Sequence, residues 1–257
     1  MLRKRRYTDI CGDKFFAKVI AVVTSASVLL SGCGLQKSII LSESATDMHL
    51  DFQELKKENS DFVAWLYIPD TGIDYPILQA SDGDDLYYTT HNAAKKEDAR
   101  GALYIEAANL RNMCDFNEVI HGSSAYDGAM FADLDKFLDR AYFEKHDYAY
   151  VYMDCNALAY YIIAAYTRDD GNLLEQYDFS YASGCREFID EIYDARDMNK
   201  IVRSGCETGL EPEHFLITLT APSRHIPGKQ TVVIGCLMGD AAGIMDREID
   251  YGDEYLE

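Results

Sequence analysis

Short stretches in which apolar and polar residues alternate dominate the chain from about residue 65 to residue 237. A period of two sends successive side chains to opposite faces of an extended backbone, so these stretches predict strands. They are 65–68, 75–78, 102–105, 118–121, 149–152, 157–166, 215–219 and 231–237. Asp154-Cys155-Asn156, between two of them, reads as the short loop of a hairpin. Helical spacing is rarer. Met130, Leu134, Phe137 and Leu138 share one helical face, and Phe188, Ile189, Ile192 and Tyr193 share another. Near the start, Phe52 and Leu55 suggest a helix, and Phe62, Val63 and Trp65 a short second one capped by Asn59 or Ser60. Many short strands with few helices predict a mainly β fold, a closed or nearly closed barrel with added helices and no internal repeat.

The first 32 residues differ in kind. Arg3, Lys4, Arg5, Arg6, Lys14 and Lys18 precede the apolar run Val19 to Leu30, which ends in Leu30-Ser31-Gly32-Cys33. A basic head, a short apolar run and a small-residue cut site make an export signal, and the run is short of the roughly 20 residues of a spanning helix. The tetrapeptide resembles the lipobox of bacterial lipoproteins, which implies cleavage before Cys33 and a diacylglycerol thioether on its sulfur. The alternative is an uncleaved anchor at the same membrane face. Either reading puts the domain on the outer face of the cytoplasmic membrane. Residues 33–50 form a polar tether without periodicity, 51–240 the folded domain, and 241–257 an acidic tail outside the core.

A chain of 257 residues has room for one sizeable domain. Its formal charge is −20, and setting aside the first 32 residues, with six basic and two acidic side chains, leaves −24. Nucleic acid and anionic lipid both need a basic face, so neither is expected as an electrostatic partner. Besides Cys11 and Cys33, the cysteines are Cys114, Cys155, Cys185, Cys206 and Cys236. An odd number gives no complete disulfide framework in an exported protein, although Cys185 and Cys206 could pair. No two have zinc-ligand spacing, and no metal or other cofactor is expected.

Several blocks, in order, carry a resemblance. They are Asn59-Ser-Asp-Phe-Val-Ala-Trp-Leu-Tyr-Ile-Pro69, Thr71-Gly-Ile-Asp-Tyr-Pro-Ile77, Gly101-Ala-Leu-Tyr-Ile105, and Asn117 to Phe131 with its ending Asp127-Gly-Ala-Met-Phe131. Together they resemble the class B sortases, surface transpeptidases of Gram-positive bacteria, over about Phe52 to Met238. The resemblance implies an eight-stranded barrel. It also implies an enzyme that cuts a sorting peptide at a threonyl bond and passes the acyl group to a cell-wall amine. That chemistry needs a thiolate nucleophile, an imidazole acid and a cation for the oxyanion.

Carried over position by position, the family's histidine falls on Ser123, within His121-Gly122-Ser123. Its cysteine falls on Pro222, closing Thr218-Leu-Thr-Ala-Pro222, and its arginine on Gln230, ahead of Thr231-Val232-Val233. All three chemical roles are vacant together. Cys236, six residues beyond Gln230, is roughly 20 Å away along a strand and reads as a core thiol. Ser223 with His121 or His225 is the substitute dyad that the sequence offers. Tyr160, Tyr161 and Tyr166 are read first as packing, Asp127 first as a turn.

Three functions follow. The first is a pseudo-sortase that binds a peptide or surface protein in the old groove. The second is an active sortase with an unconventional nucleophile, and the third an assembly factor that binds through the barrel exterior. The resemblance implies that specificity lies in loops such as Gly171 to Tyr181.

Overall fold

The computed structural model describes residues 50–194, 200–206 and 208–252. The expected export signal, Cys33 and nearly all of the tether lie outside them. No helix among the described residues is long and apolar enough to cross a membrane.

The alternating stretches form strands. These are β1 (Phe62–Tyr67), β2 (Asp74–Leu78), β3 (Leu103–Tyr104), β4 (Asn117–His121), β5 (Tyr148–Met153), β6 (Asn156–Asp169), β7 (Ile201–Val202), β8 (Leu216–Pro222) and β9 (Lys229–Asp240). They hydrogen-bond in the order β5-β1-β2-β3-β4-β8-β9-β6, and β5 also pairs with β6, so eight strands close into a barrel. The pairs β2/β3 and β4/β8 are parallel and the others antiparallel. The β5–β6 hairpin turns at Cys155, whose φ of 65° is the left-handed conformation a tight turn demands. Beyond its pairing with β5, β6 also carries β7 on its edge, at Ala164 and Ala165.

Alternate residues point into the barrel. Ile77, Ile120, Ile217, Leu219, Ala221 and Val233 meet there, and the 3-10 helix Phe131–Leu138 closes the interior with Phe131, Leu134 and Phe137. At three residues per turn these three side chains fall on one side. The opposite parity faces outward, where Val119, Leu216, Val232 and Ile234 lie under α4 (Ala182–Asp194) through Phe188, Ile189 and Ile192. Helix cover on one face and barrel on the other bury the first twelve residues of β6 without a break. The remaining helices among the described residues are α1 (Phe52–Glu58), with Asp51 as N-cap, α2 (Arg140–Phe143), α3 (Leu173–Gln176) and a 3-10 turn at Tyr87–Thr89.

Some expectations need correction. Phe62 and Val63 belong to β1 and not to a second helix, because Phe62 pairs with Leu78 of β2 and Val63 sits at the bulge between the Phe62 and Ala64 pairs, inside the barrel core. Asn59 is buried and holds a turn, accepting from the Asp61 amide and donating to Tyr88 Oη and the Ala93 carbonyl. The acidic segment after Asp240 does not leave the core at once. Arg247 lies over the Phe116 and Phe215 rings, and Asp250 bridges to Tyr181 and accepts from the Ala182 amide. Cys185 and Cys206 occupy one buried cluster as thiols.

Candidate functional site at the ends of β4, β8 and β9

Residues directly opposite in a sheet project to the same side. Pro222 lies opposite Gln230, and Gln230 opposite Arg168, so β8, β9 and β6 set these three in one row on the outer face. The next row is His121, Thr220, Val232 and Tyr166. Gly122 follows β4, and its amide donates to the Thr220 carbonyl at 3.0 Å. A Cβ at Gly122 would stand 2.5 Å from Leu103 Cδ2 and 2.7 Å from Phe131 Cδ2, so the chain needs glycine to reach the next position.

That next position is Ser123. Its hydroxyl donates to the Arg100 carbonyl at 2.6 Å, and its own carbonyl accepts from the Phe131 amide at 2.9 Å. Pro222 is exposed at the end of β8. Gln230 is buried and satisfied at both ends of its amide. Its Oε1 accepts from Thr220 Oγ1 at 2.7 Å, and its Nε2 donates to the carbonyls of Gly171 at 2.8 Å and Asp169 at 3.3 Å.

The residues offered as substitutes are engaged elsewhere. Ser223 Oγ accepts from the amides of Ile226 at 3.2 Å and His225 at 3.4 Å, which is a local turn. His225 Nε2 lies 3.5 Å from Asp135 Oδ2. His121 stacks on Tyr104, with ring centroids 5.1 Å apart, and its Nε2 lies 3.2 Å from Glu106 Oε1. Among the described residues neither imidazole hydrogen-bonds to Ser223. Cys236 pairs with Leu216, at the far end of β8 from Pro222, and is buried. Tyr160, Tyr161 and Tyr166 are buried packing residues, and Asp127 Oδ1 accepts from the Ala129 amide as a turn residue does.

Four residues of this face were not singled out in the sequence: Glu106, Asn172, Arg168 and Tyr104. Asn172 caps α3 by accepting from the Leu174 amide, and its Nδ2 donates to both Glu106 oxygens at 2.9 and 3.0 Å. Burial pushes the Glu106 carboxyl up, but the His121 and Asn172 contacts outweigh it and hold the group below the usual carboxylate range. The Tyr104 phenol is pushed up to about 12 by burial and by Glu106 and Asp85. Arg168 grips both oxygens of Glu191 and donates to the Gly171 carbonyl and to Gln176, so its charge is already matched. No signal short of the fold links Glu106 to Asn172, 66 positions apart. Among the described residues no cluster of three metal-ligating side chains forms.

The face thus offers amide, carboxylate and hydroxyl groups beside an exposed proline, with no thiol in either row. Comparison with known proteins places this arrangement in context. No family model matches the chain. Sortase B of Listeria monocytogenes is 37% identical over 115 residues, which are 43% of this chain and 46% of that protein. Sortase B of Staphylococcus aureus is 22% identical over 153 residues, 60% of this chain and 62% of that protein. Both alignments therefore span less than two thirds of these relatives. Among solved structures, sortase B from L. monocytogenes superposes with a TM-score of 0.60 at 26% identity, over 72% of this chain and 99% of the other. A mutant form of Clostridium perfringens sortase B superposes at 0.64 with 22% identity, over 73% and 86%. A substrate complex of S. aureus sortase B superposes at 0.62 with 21% identity, over 73% and 84%.

Proposed function

We propose, for a chain that is sortase-like in family and fold, that it has given up thiol transpeptidase chemistry and works by binding. The ligand is a sorting-type peptide or a surface protein segment, held on the outer face at the ends of β4, β8 and β9. The observation that carries this reading is the pairing of Pro222 with Gln230 at the end of β8. A proline has no side-chain nucleophile, and loss of the nucleophile from a concerted set removes most of the rate by itself. The hydroxyls nearby support the same reading, since Ser123 gives its proton to a carbonyl and Ser223 accepts backbone amides. Export, and attachment to the membrane through lipid on Cys33, belong to the same proposal and rest on the N-terminal sequence.

A second reading, an active transpeptidase or peptidase using Ser223 or Ser123, is favoured by one feature, the His121 and Glu106 contact. Mass spectrometry separates the two. The domain is incubated with sorting-type peptides and an amine, beside a variant carrying Pro222→Cys, Ser123→His and Gln230→Arg. The expected result is cleavage or an acyl adduct in the variant alone, with peptide binding by the natural chain measured by fluorescence anisotropy. Turnover or a serine adduct in the natural chain would overturn the proposal.

A further inference from the structure

The segment between β6 and α3 does not turn back beside β6 but crosses the outer face. Asp170 donates its amide to the Gly228 carbonyl, and Gly171 receives the Gln230 side chain of β9 at 2.8 Å. Asn172 then reaches Glu106, which lies two residues beyond Tyr104 of β3 and touches His121 of β4. In sheet order β9, β8 and β4 stand between β6 and β3, so four residues span the face from one side to the other. Leu173 anchors the far end, 1% exposed in the outer core. Consistent with this cover, Thr220 is 2% and Gln230 6% exposed, while Pro222 just beyond is open.

We infer that the segment Asp170 to Leu173 is a strap latched by Asn172 on Glu106, and that the face beneath it at Thr220 and Gln230 is uncovered only when that latch opens. The inference rests on the binding reading above, to which it adds a gate. The latch is chemically selective, because Glu106 accepts two hydrogen bonds from a neutral amide, and an oxygen in place of that nitrogen would meet the carboxylate as an acceptor. Asn172→Asp keeps the oxygen that caps α3 and removes the donor. The strap is also held by Gln230 and by Arg168, so breaking the latch loosens it without unfolding α3.

The test is the reactivity of a thiol placed under the strap by Thr220→Cys, followed with iodoacetamide and peptide mass mapping. In the otherwise natural chain the new thiol should react far more slowly than the exposed Cys155. Adding Asn172→Asp, or in a second variant Glu106→Ala, which removes both acceptor oxygens, should accelerate its labelling at least tenfold while the buried Cys236 stays unchanged. An unchanged rate in both variants would overturn the inference, as would an acceleration that Cys236 shares, which marks general loosening. No peptide is used, so this outcome is independent of whether the binding reading stands.

Discussion

Arg203 offers the sharpest test of how the barrel is held. It is 3% exposed and lies just after β7, where it joins three elements. Its guanidinium donates to the Ile162 carbonyl of β6 at 2.6 Å, to Asp147 Oδ1 ahead of β5 at 2.7 Å, to the Phe143 carbonyl at the end of α2 at 2.8 Å and to the His146 carbonyl beyond it at 3.0 Å. It sits 4.4 Å from the Phe143 ring and 4.9 Å from that of Tyr161. Arg203→Met keeps much of the stem and removes every donor. A hydrogen bond to a charged group contributes about 1.5–3 kcal/mol, and stripping one partner from a buried ion pair costs about 3–5 kcal/mol. Because Asp147 keeps some solvent, the lower half of that range is expected, about 3–4 kcal/mol. At a urea dependence of about 2 kcal/mol/M, the unfolding midpoint should fall by about 1.5–2 M. Trp65 is the only tryptophan and reports the transition by its fluorescence. Asp147→Asn should cost less, since three carbonyls keep their donor. A drop below about 0.5 M for Arg203→Met would give the site no more than the worth of a surface ion pair and refute the reasoning.

Other outcomes follow from single side chains. Glu118 is fully buried on β4, its Oε1 accepts from the Asp115 amide, and its Oε2 has no hydrogen-bond partner. Burial, then the Asp115 charge, raises its carboxyl well above the usual range. A raised folded value means that its contribution is complete below about pH 4.3, where the unfolded group is protonated too, and is lost as pH rises toward the folded value. Glu118→Gln should therefore gain melting temperature on the parent chain as pH rises above about 4.3, and parallel profiles would contradict this. Gly122→Ala places a methyl against Leu103 and Phe131, and overpacking of this kind costs about 1–3 kcal/mol, readable as a lower thermal midpoint.

Much of the barrel was legible because its strands face two different surroundings. On β8 the alternation of Ile217 and Leu219 with Leu216 and Thr218 is the alternation of barrel interior with helix-covered exterior. Where both faces are apolar, as along β6, the pattern became a continuous run that still marked a strand. Phe62 and Val63 misled because adjacent apolar residues also suit a helix, and only pairing with Leu78 decides. The two residues of β7 were too few to show any period. Ser123, Pro222 and Gln230 stood out from motifs, but the strap did not, because its latch and its Gln230 contact join residues 66 and 59 positions apart.

The ring closes through partners that are distant in the chain. β1 must wait for β5, roughly 85 residues later, and β4 for β8, roughly 100 residues later. A chain extruded from its N-terminus would therefore hold β1 to β4 as an open ribbon with two bare edges for most of its emergence. Such edges are where another chain can pair, so the interval before β5 and β8 arrive is when this protein is most exposed to aggregation and most dependent on a holdase. The finished barrel has no such weakness along its ring, and the hazard belongs to its making alone.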